Sequence, residues 1–359
     1  MSGLPRARQP TIADVAAGAG VSLATVSRVM NGNPSVDQAM ADRVRSVALE
    51  LHYSASPLAR SLVLGRTSTV GIVVPDLGNP TFYGVLRGLS KAAARQGYHV
   101  LIADSAESIA EERILAVETR RRCDGLVLCA PRMPDPDLQS LLAELKPVVL
   151  VNRDPGLSGV PVVAADYYSA LGELLQQLHD DGHRSLAYLS GAPQSASNAR
   201  RLAAVRDFQQ AHPETSVQVL PGGVSFAEGH AAGEQILLSS ATGVLAFNDL
   251  VAMGLMSALH ERGVRVPDQI SVVGFDDIPF ARYTSPPLTT ASVPVTELGE
   301  QAWLRLWDLL NDRTAGPPLF LLPRVEQRGS SGPVHLEHFP GQIHVEAQVV
   351  DPDRPAGRQ

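Results

Sequence analysis

Cysteine is scarce in this chain, with Cys123 and Cys129 the only two among 359 residues. Their spacing matches no metal-binding motif, and two thiols make no disulfide framework, so we expect neither structural zinc nor a disulfide-stapled fold. Runs of about 18 apolar residues, which a transmembrane helix needs, are missing too. The opening residues MSGLPRARQP lack the apolar segment of a signal peptide. We therefore expect a protein of the reducing cytoplasm.

Positive charge is also in short supply, since the formal net charge is −7 at pH 7. It is unevenly distributed: residues 1–66 contain seven arginines and four acidic residues, a net +3 that leaves −10 for the remainder. A small basic head on a larger acidic body confines any nucleic-acid contact to the N-terminal part. The length exceeds one ordinary core, so two or three domains are expected.

Residues 11–31 predict two short helices around a tight turn. Thr11 can cap the first helix, Gly18 and Gly20 stop it, and Ser22 can cap the second. Three helices would form a small bundle that presents the second one outward, because a third is predicted over Ser35–Leu51 with Ser35 as its N-cap.

The second helix, from Leu23 to about Asn31, has chemically distinct sides. Val26 and Met30 are predicted to face inward. The residues left nearer the outside are Leu23, Ala24, Thr25, Ser27 and Arg28. Small and hydroxyl side chains on the first turn with an arginine one turn later suit a DNA major groove. An ordinary helical hairpin is the alternative that these residues alone leave open.

A short helix is predicted to start at Pro57, with Ala59 and Leu62 on one side. It is too short to be stable alone, because isolated helices need roughly 12–15 residues. We expect either a linker or a segment that folds on binding.

From Thr69 onward, apolar runs of strand length alternate with amphipathic helical stretches. The runs are TVGIVVP, YHVLIADS, DGLVLCAP, KPVVLVNRD, RSLAYLSG, TGVLAFND and QISVVGFDD. This alternation predicts buried parallel strands with crossover helices, in two adjacent open sheets. Ligands of such sheets bind beyond the carboxyl ends of the strands. Polar residues cluster there: Asp76, Asn79, Asp104, Asn152, Arg153, Ser190, Asn248, Asp249, Asp276 and Asp277.

Catalytic and metal chemistry have little support. The histidines of the tail, His335, His338 and His344, have no enforced spacing, and a solvated tail is the better interpretation. Adjacent carboxylates at a strand end point in different directions, so Asp276 and Asp277 predict one ligand contact and one loop cap. No Walker loop or nucleophile motif occurs. We therefore expect no catalytic residues, no metal and no cofactor.

Seven motifs in order carry a family resemblance: TIADVAAGAGVSLATVSRVMNGNPSV, HYSASPLARSL, PDLGNPTF, DGHRSLAYLSG, AFNDLVAMG, RVPDQISVVGFDDIPFARYTSPPLTT and LPRVEQRGSS. Through them the chain resembles bacterial regulators of the lactose/galactose repressor (LacI/GalR) family over about residues 10–332. The resemblance implies an all-α, three-helix helix-turn-helix head (1–54) and a hinge helix with linker (55–67). It further implies an α/β core of two doubly wound parallel-sheet lobes, similar to periplasmic binding proteins (68–332). We expect weak order in the tail, 333–359.

The resemblance also implies DNA-contacting positions. Leu23 and Ala24 match the base-reading pair, and Leu62 matches a hinge leucine that wedges into the minor groove. Ala55 stands where the family usually has proline, which leaves the start of the hinge less certain. The implied DNA-binding residues are Thr11, Ser22, Leu23, Ala24, Thr25, Ser27, Arg28, Asn31, Ala59 and Leu62.

Five further positions match the family's effector cleft: Asn79, Phe82, Arg201, Asn248 and Asp276. Arginine and aspartate can make several hydrogen bonds to vicinal hydroxyls, which suits a sugar or related polyol. Each could instead be a capped or ion-paired strand end. Five positions depart from the family pattern. Val224, Val293 and Val295 stand where family members often have aromatic or polar effector contacts, and Ala204-Val205 replace the common Gly-Phe.

The function implied is that of a cytoplasmic, nucleoid-associated regulator, and specifically a repressor. It would bind a palindromic double-stranded operator as a homodimer, without a membrane partner, and respond to a sugar-like effector. The lack of a C-terminal leucine heptad argues against a tetramer held by a coiled tail. A nucleobase, nucleoside or other small metabolite as effector remains open. A sugar-binding protein without a regulatory role is a more distant alternative. We do not expect an enzyme, because a sugar-acting enzyme would need a paired acid and base in the cleft.

Overall fold

The computed structural model describes residues 10–30, 32, 35–53, 65–153, 156 and 159–334. The first of these form a three-helix head with helices α1 (Ile12–Ala19), α2 (Leu23–Met30) and α3 (Gln38–Glu50). Its core includes Val15, Val26 and Val44, none of which is exposed. The predicted hinge helix with Ala59 and Leu62, the position of Asn31 and most of the predicted tail lie outside the described residues.

Helix α1 begins where the sequence predicts. The Asp14 carboxylate accepts hydrogen bonds from the backbone N–H and the hydroxyl of Thr11, at 2.7 and 2.8 Å. Gly20 ends the helix in a left-handed conformation with φ 64°, which glycine adopts at no steric cost. Gly18 does not stop the helix, contrary to the prediction. A Cβ there would lie 2.7 Å from Cγ1 of Val47 on α3, so this glycine allows close packing instead.

Two further details of the head differ from the predictions. Val29 is buried with Val26 on the inner side of α2, and Met30 is only partly buried. Helix α3 starts later than expected because Asp37, and not Ser35, is its N-cap. The Asp37 carboxylate accepts a hydrogen bond from the N–H of Met40 at 3.1 Å.

Two six-stranded sheets form the body. The first has the order β11-β5-β4-β3-β1-β2, with all neighbours parallel. Its strands are β1 (Thr69–Val74), β2 (His99–Asp104), β3 (Gly125–Cys129), β4 (Val148–Val151), β5 (Val162–Ala165) and β11 (Leu319–Leu321). Its helices are α4 (Pro80–Ala94), α5 (Ile109–Arg120) and α6 (Asp135–Leu145).

The second sheet has the order β12-β10-β9-β8-β6-β7, parallel except for β12. Its strands are β6 (Ser185–Ser190), β7 (Ser216–Pro221), β8 (Gly243–Ala246), β9 (Ser271–Asp276), β10 (Thr289–Ser292) and β12 (Arg324–Glu326). Its helices are α7 (Tyr167–Asp180), α8 (Ala196–Ala211), α9 (Phe226–Ala231), α10 (Gly233–Leu238) and α11 (Asp249–Glu261). The head and the two parallel sheets confirm the predicted fold class.

The chain passes between the two lobes three times: after β5, after β10 and after β11. After β10, helix α12 (Val295–Leu310) returns to the first lobe and packs against α4. The two backbones meet at glycines. A Cβ at Gly88 would lie 2.0 Å from the carbonyl oxygen of Thr296, and one at Gly299 equally close to that of Val85.

No single described helix is long and apolar enough to cross a membrane. Helices α1 and α2 meet the length and composition test only as a pair, and they are bent by 104° relative to each other.

Candidate functional site

The first turn and outer side of α2 hold most of the described DNA-contacting set; Thr11 lies apart from them, exposed at the N-cap of α1. Ser22, Leu23, Ala24 and Arg28 are exposed, and Thr25 and Ser27 are partly buried. Leu23 is 52% exposed, so its side chain is accessible on this side of the helix. Ser22 caps the helix as predicted, because its hydroxyl accepts a hydrogen bond from the N–H of Thr25 at 3.2 Å.

Residues from both lobes line one cleft at the carboxyl ends of the strands, and four of the ten polar residues predicted there are among them: Asp76, Asn79, Asn152 and Asp276. The lining residues are Asp76, Asn79, Thr81, Phe82, Glu107, Ala130, Arg132, Asn152 and Tyr167 from the first lobe and the start of α7, and Ser197, Arg201, Val224, Phe247 and Asp276 from the second. A wider, more open depression lies beside it and shares Asn152, Tyr167 and Ser197. The cleft is the better candidate for recognition because it holds a buried pair of opposite charges.

Arg201 supplies the positive charge. Its side chain is almost completely buried, and its guanidinium carbon lies 3.9 to 4.6 Å from the ring centroids of Phe275, Tyr167 and Phe247. Such stacking favours a planar cation. One terminal nitrogen donates to the hydroxyl of Ser197 at 3.1 Å. The buried Nε makes no hydrogen bond with any described residue. A donor held in this way is costly unless a ligand accepts from it.

Asp276 supplies the negative charge at the end of β9. One carboxylate oxygen lies 4.0 Å from a guanidinium nitrogen of Arg201, and the other accepts a hydrogen bond from the Thr81 hydroxyl at 2.8 Å. Burial raises the pKa of this carboxyl to about 6, against the lowering effects of Arg201 and Thr81. Its φ of 105° is rare for a residue with a side chain, and strain of this kind is often found at ligand sites.

The hydrogen bond between Thr81 and Asp276 crosses from one lobe to the other. Thr81 belongs to the first turn of α4, and Asp276 ends a strand of the second sheet. The carboxylate that faces the cleft is therefore also a contact between the lobes.

The two predicted asparagines act as helix caps. The side-chain oxygen of Asn79 accepts a hydrogen bond from the N–H of Thr81 at 3.0 Å, and Asn79 still lines the cleft together with Phe82. The oxygen of Asn248 accepts from the N–H of Val251, and its amide nitrogen donates to the carbonyl of Val224, both at 2.9 Å. Asn248 does not line the cleft in the described structure.

The neighbouring acids diverge, as predicted. Asp277 is buried in ion pairs, with guanidinium nitrogens of Arg328 at 2.5 Å and Arg282 at 3.5 Å. It is thus separated from the cleft that Asp276 faces. Asp249 is fully buried and accepts hydrogen bonds from the Thr290 hydroxyl and the N–H of Ile278. These contacts give each acid a different environment and set up no acid–base pair.

Sequence reasoning missed several residues of the cleft. Arg132 forms a bidentate pair with Glu107, with nitrogen–oxygen distances of 2.6 and 2.8 Å. Tyr167 and Ser197 both contact Arg201. Arg132 follows β3 closely, so its position just beyond a strand end was a usable signal. Tyr167 and Ser197 lie in the first turns of helices, where nothing in the local pattern marks them.

Comparison with known proteins identifies two family models in the chain. Residues 11–56 match that of bacterial regulatory proteins, lacI family, and residues 175–331 match a periplasmic binding protein-like domain. The regulator AscG of Escherichia coli is 33% identical over 89% of this chain and 98% of its own length. The regulator GalR of Escherichia coli is 35% identical over 81% and 87%, respectively.

Two solved structures extend the comparison. A Lac repressor dimer bound to operator and the anti-inducer ONPF superposes with a TM-score of 0.83 at 24% identity, covering 90% of this chain and 99% of that one. A complex of the transcriptional regulator CelR with cellobiose gives a TM-score of 0.67 at 28% identity, covering 90% and 100%. The first likeness establishes the shared fold of head and bilobed core.

Proposed function

Because the chain belongs to the LacI family of DNA-binding transcriptional regulators with an effector-binding core, we propose that it is a repressor switched by a sugar or related polyol. It binds a palindromic operator as a homodimer in the cytoplasm. The observation that carries the effector assignment is the buried pair of Arg201 and Asp276 in the cleft between the lobes. We also propose the predicted domain boundaries: the head ends at residue 54, the hinge at residue 67 and the core at residue 332, where the tail begins.

The charge pair fits a polyhydroxylated ligand. A carboxylate accepts hydrogen bonds from hydroxyls, and a guanidinium donates to ring or hydroxyl oxygens. The Nε of Arg201, buried without a partner among the described residues, gains an acceptor when such a ligand binds. Phe82 and Phe247 supply apolar contact beside these groups. Phe82, Arg201, Asp276 and Asn79 are therefore proposed ligand contacts, with Asn248 reduced to a supporting role through its bond to Val224.

The switch follows from the contact between lobes. A ligand hydroxyl that donates to Oδ2 of Asp276 competes with the Thr81 hydroxyl, which lies 2.8 Å from that oxygen. Ligand binding therefore changes the relative stability of the lobe arrangements. It alters operator affinity only through that difference, about 1.4 kcal/mol for each tenfold change. Release of the operator is the expected direction.

The head reads the operator through α2. Exposed Leu23 and Ala24 offer contact to thymine methyl groups and shape complementarity, and Arg28 offers hydrogen bonds and charge. Contacts to the sugar–phosphate backbone of the DNA come from the polar side chains of Thr11, Ser22, Thr25, Ser27 and Asn31. In the dimer, two heads occupy half-sites about 34–36 Å apart or a multiple of that spacing. Ala59 and Leu62 of the two hinges lie between them, with Leu62 in the minor groove.

The direct test is fluorescence anisotropy of the full-length protein on DNA from upstream of its own and neighbouring genes. The measurements use physiological salt, with and without a panel of sugars, polyols and nucleosides. We expect saturable binding to a palindrome and a large drop in affinity with one sugar or polyol. A response to nucleosides alone would replace the proposed effector class, and absence of specific DNA binding would refute the repressor proposal itself.

Residue variants test the reading head. Arg28→Ala should weaken operator binding by about 1–3 kcal/mol. Arg45→Ala is the matched control, because it removes the same charge from the head but from a side chain paired with Asp42 on α3. Leu62→Ala should reduce specific binding more than binding to random DNA. Equal effects of the two arginine variants would contradict the assignment of α2.

A further inference from the structure

A cluster of metal-ligating side chains lies on the second lobe, away from the cleft residues. His179 belongs to the last turn of α7, His212 is the C-cap of α8, and Glu214 stands in the turn before β7. The donor atoms of the three side chains lie within 4.8 Å of one another. This is the single group of its kind among the described residues.

The distances fit ligands that share an ion. A carboxylate oxygen of Glu214 lies 3.6 Å from Nε2 of His179 and 3.6 Å from Nδ1 of His212. These separations exceed an ordinary hydrogen bond. Ligands at the corners of a tetrahedron around zinc, with bonds of about 2.0–2.1 Å, are separated by roughly 3.4 Å. Small side-chain shifts therefore bring all three donors into coordination.

Neighbouring groups hold the two imidazoles in place. Nδ1 of His179 is 2.9 Å from the Thr215 hydroxyl, a hydrogen bond that leaves Nε2 turned toward Glu214. Bonds of this kind orient histidine ligands in metal sites. The N–H of Thr215 donates to the carbonyl of His212 at 2.9 Å and closes the turn. The ring of Phe208 packs against both imidazoles.

The electrostatic setting favours a cation. Helices α7 and α8 both end at the cluster, and the carboxyl end of a helix carries partial negative charge. The His179 side chain is 13% exposed and that of Glu214 is 51% exposed. An ion can therefore enter from solvent, which also supplies water as a further ligand.

We propose that His179, His212 and Glu214 bind one divalent transition-metal ion of the zinc type. Two imidazoles and one carboxylate are a ligand set that zinc accepts with a water molecule. The ion joins the ends of α7 and α8 to the turn that starts β7. Because α7 is the first helix of the second lobe, this site stabilises that lobe near the point where the chain enters it.

The test is calorimetric titration of the metal-free, full-length protein with Zn²⁺, together with the visible absorption spectrum of the Co²⁺ form. We expect one equivalent to bind, and a tetrahedral-type cobalt spectrum. His212→Gln and Glu214→Gln should each weaken binding at least tenfold. Thr215→Val should weaken it roughly tenfold to a hundredfold, the usual effect of losing a group that orients a ligand. Because Glu214 is half exposed, its replacement leaves the fold intact and keeps the test interpretable.

Two controls exclude other histidines. His230→Gln removes an exposed histidine that pairs with Glu261 at 2.9 Å, outside the proposed site. A triple variant replaces His335, His338 and His344 of the tail by glutamine. Both control proteins should retain the zinc equivalent. Zinc binding that survives Glu214→Gln and His212→Gln, or that disappears in the tail variant, would overturn the proposal.

Discussion

Replacing Asp276 by asparagine should stabilise the protein at neutral pH and abolish its effector response. Burial raises the pKa of this carboxyl from 3.8 to about 6. A carboxyl with a raised pKa binds its proton more tightly in the folded state. Its contribution to stability is therefore full below the unfolded pKa and is lost as the pH rises through the folded pKa. At about 1.36 kcal/mol per unit of pKa, ionised Asp276 costs roughly 3 kcal/mol above pH ~7.

Asparagine mimics the protonated carboxyl in shape and, among residues with side chains, is one of those that best tolerate a positive φ. The free energy of unfolding of Asp276→Asn should therefore match that of the wild type below about pH 3 and exceed it by up to ~3 kcal/mol at about pH 8. Urea unfolding can be followed by circular dichroism for the whole chain. The fluorescence of Trp303 and Trp307, the two tryptophans, reports the first lobe through α12.

Asp277→Asn is the matched control, with the opposite expected sign. Asp277 pairs with Arg328 at 2.5 Å, and that arginine would be left largely buried without its acid. Breaking such a pair costs roughly 3 kcal/mol or more. If Asp276→Asn proves less stable than the wild type at pH 8, or if the difference between them does not change from pH 5 to 8, attraction to Arg201 outweighs burial and the reasoning is refuted.

Three other predictions follow from the same structure. Effector affinity measured by calorimetry should fall about tenfold per unit of pH below ~6, as Asp276 gains its proton; a flat profile would mean that the effector does not need the carboxylate. Gly18→Ala should destabilise the head by about 1–3 kcal/mol, because its Cβ would lie 2.7 Å from Cγ1 of Val47. If the temperature of thermal unfolding of the head is unchanged, α3 can move away from α1 at little cost. Gly88→Ala should force α12 away from α4, since the Cβ would lie 2.0 Å from the carbonyl oxygen of Thr296. The urea concentration at the unfolding midpoint, followed by tryptophan fluorescence, should decrease. An unchanged midpoint would mean that the two helices are loosely packed.

The sequence predicted strands that are mostly apolar and buried, such as β1, β3, β4 and β9, because burial on both faces leaves a nearly continuous apolar run. It missed β5, although Val-Val-Ala-Ala is just as apolar and buried. It also predicted the edge strand β2, but it missed the other three edge strands. Strand β7 is largely exposed and ends in proline, and β11 and β12 have three residues each. Strand β10 is buried although its residues are Thr-Thr-Ala-Ser, because its hydroxyls find partners such as Asp249. Hydropathy cannot reveal a strand of that kind.

The cleft was predictable to a different degree. The family resemblance supplied Arg201 and Asp276, and the rule for strand ends independently placed Asp276; Arg201 lies within α8, where that rule does not apply. The contacts that define their chemistry come from Thr81, Tyr167 and Ser197, which lie in the first turns of three different helices. Their proximity depends on how the two lobes face each other. That arrangement is a property of the tertiary fold and leaves no periodic trace in the chain.

The late return of α12 and β11 to the first lobe has a consequence for synthesis. Strand β5 ends at Ala165 and β11 starts at Leu319, more than 150 residues later. At roughly 5–20 residues per second, the ribosome needs about 8–30 s to make that interval. For most of it, until α12 has been made, α4 lacks the helix that covers it, and throughout it β5 lacks its outer neighbour. Every described helix of the head has by then been made. A chain interrupted within this interval would contain the DNA-reading helices but no complete lobe. Its binding to DNA could therefore not be regulated by an effector.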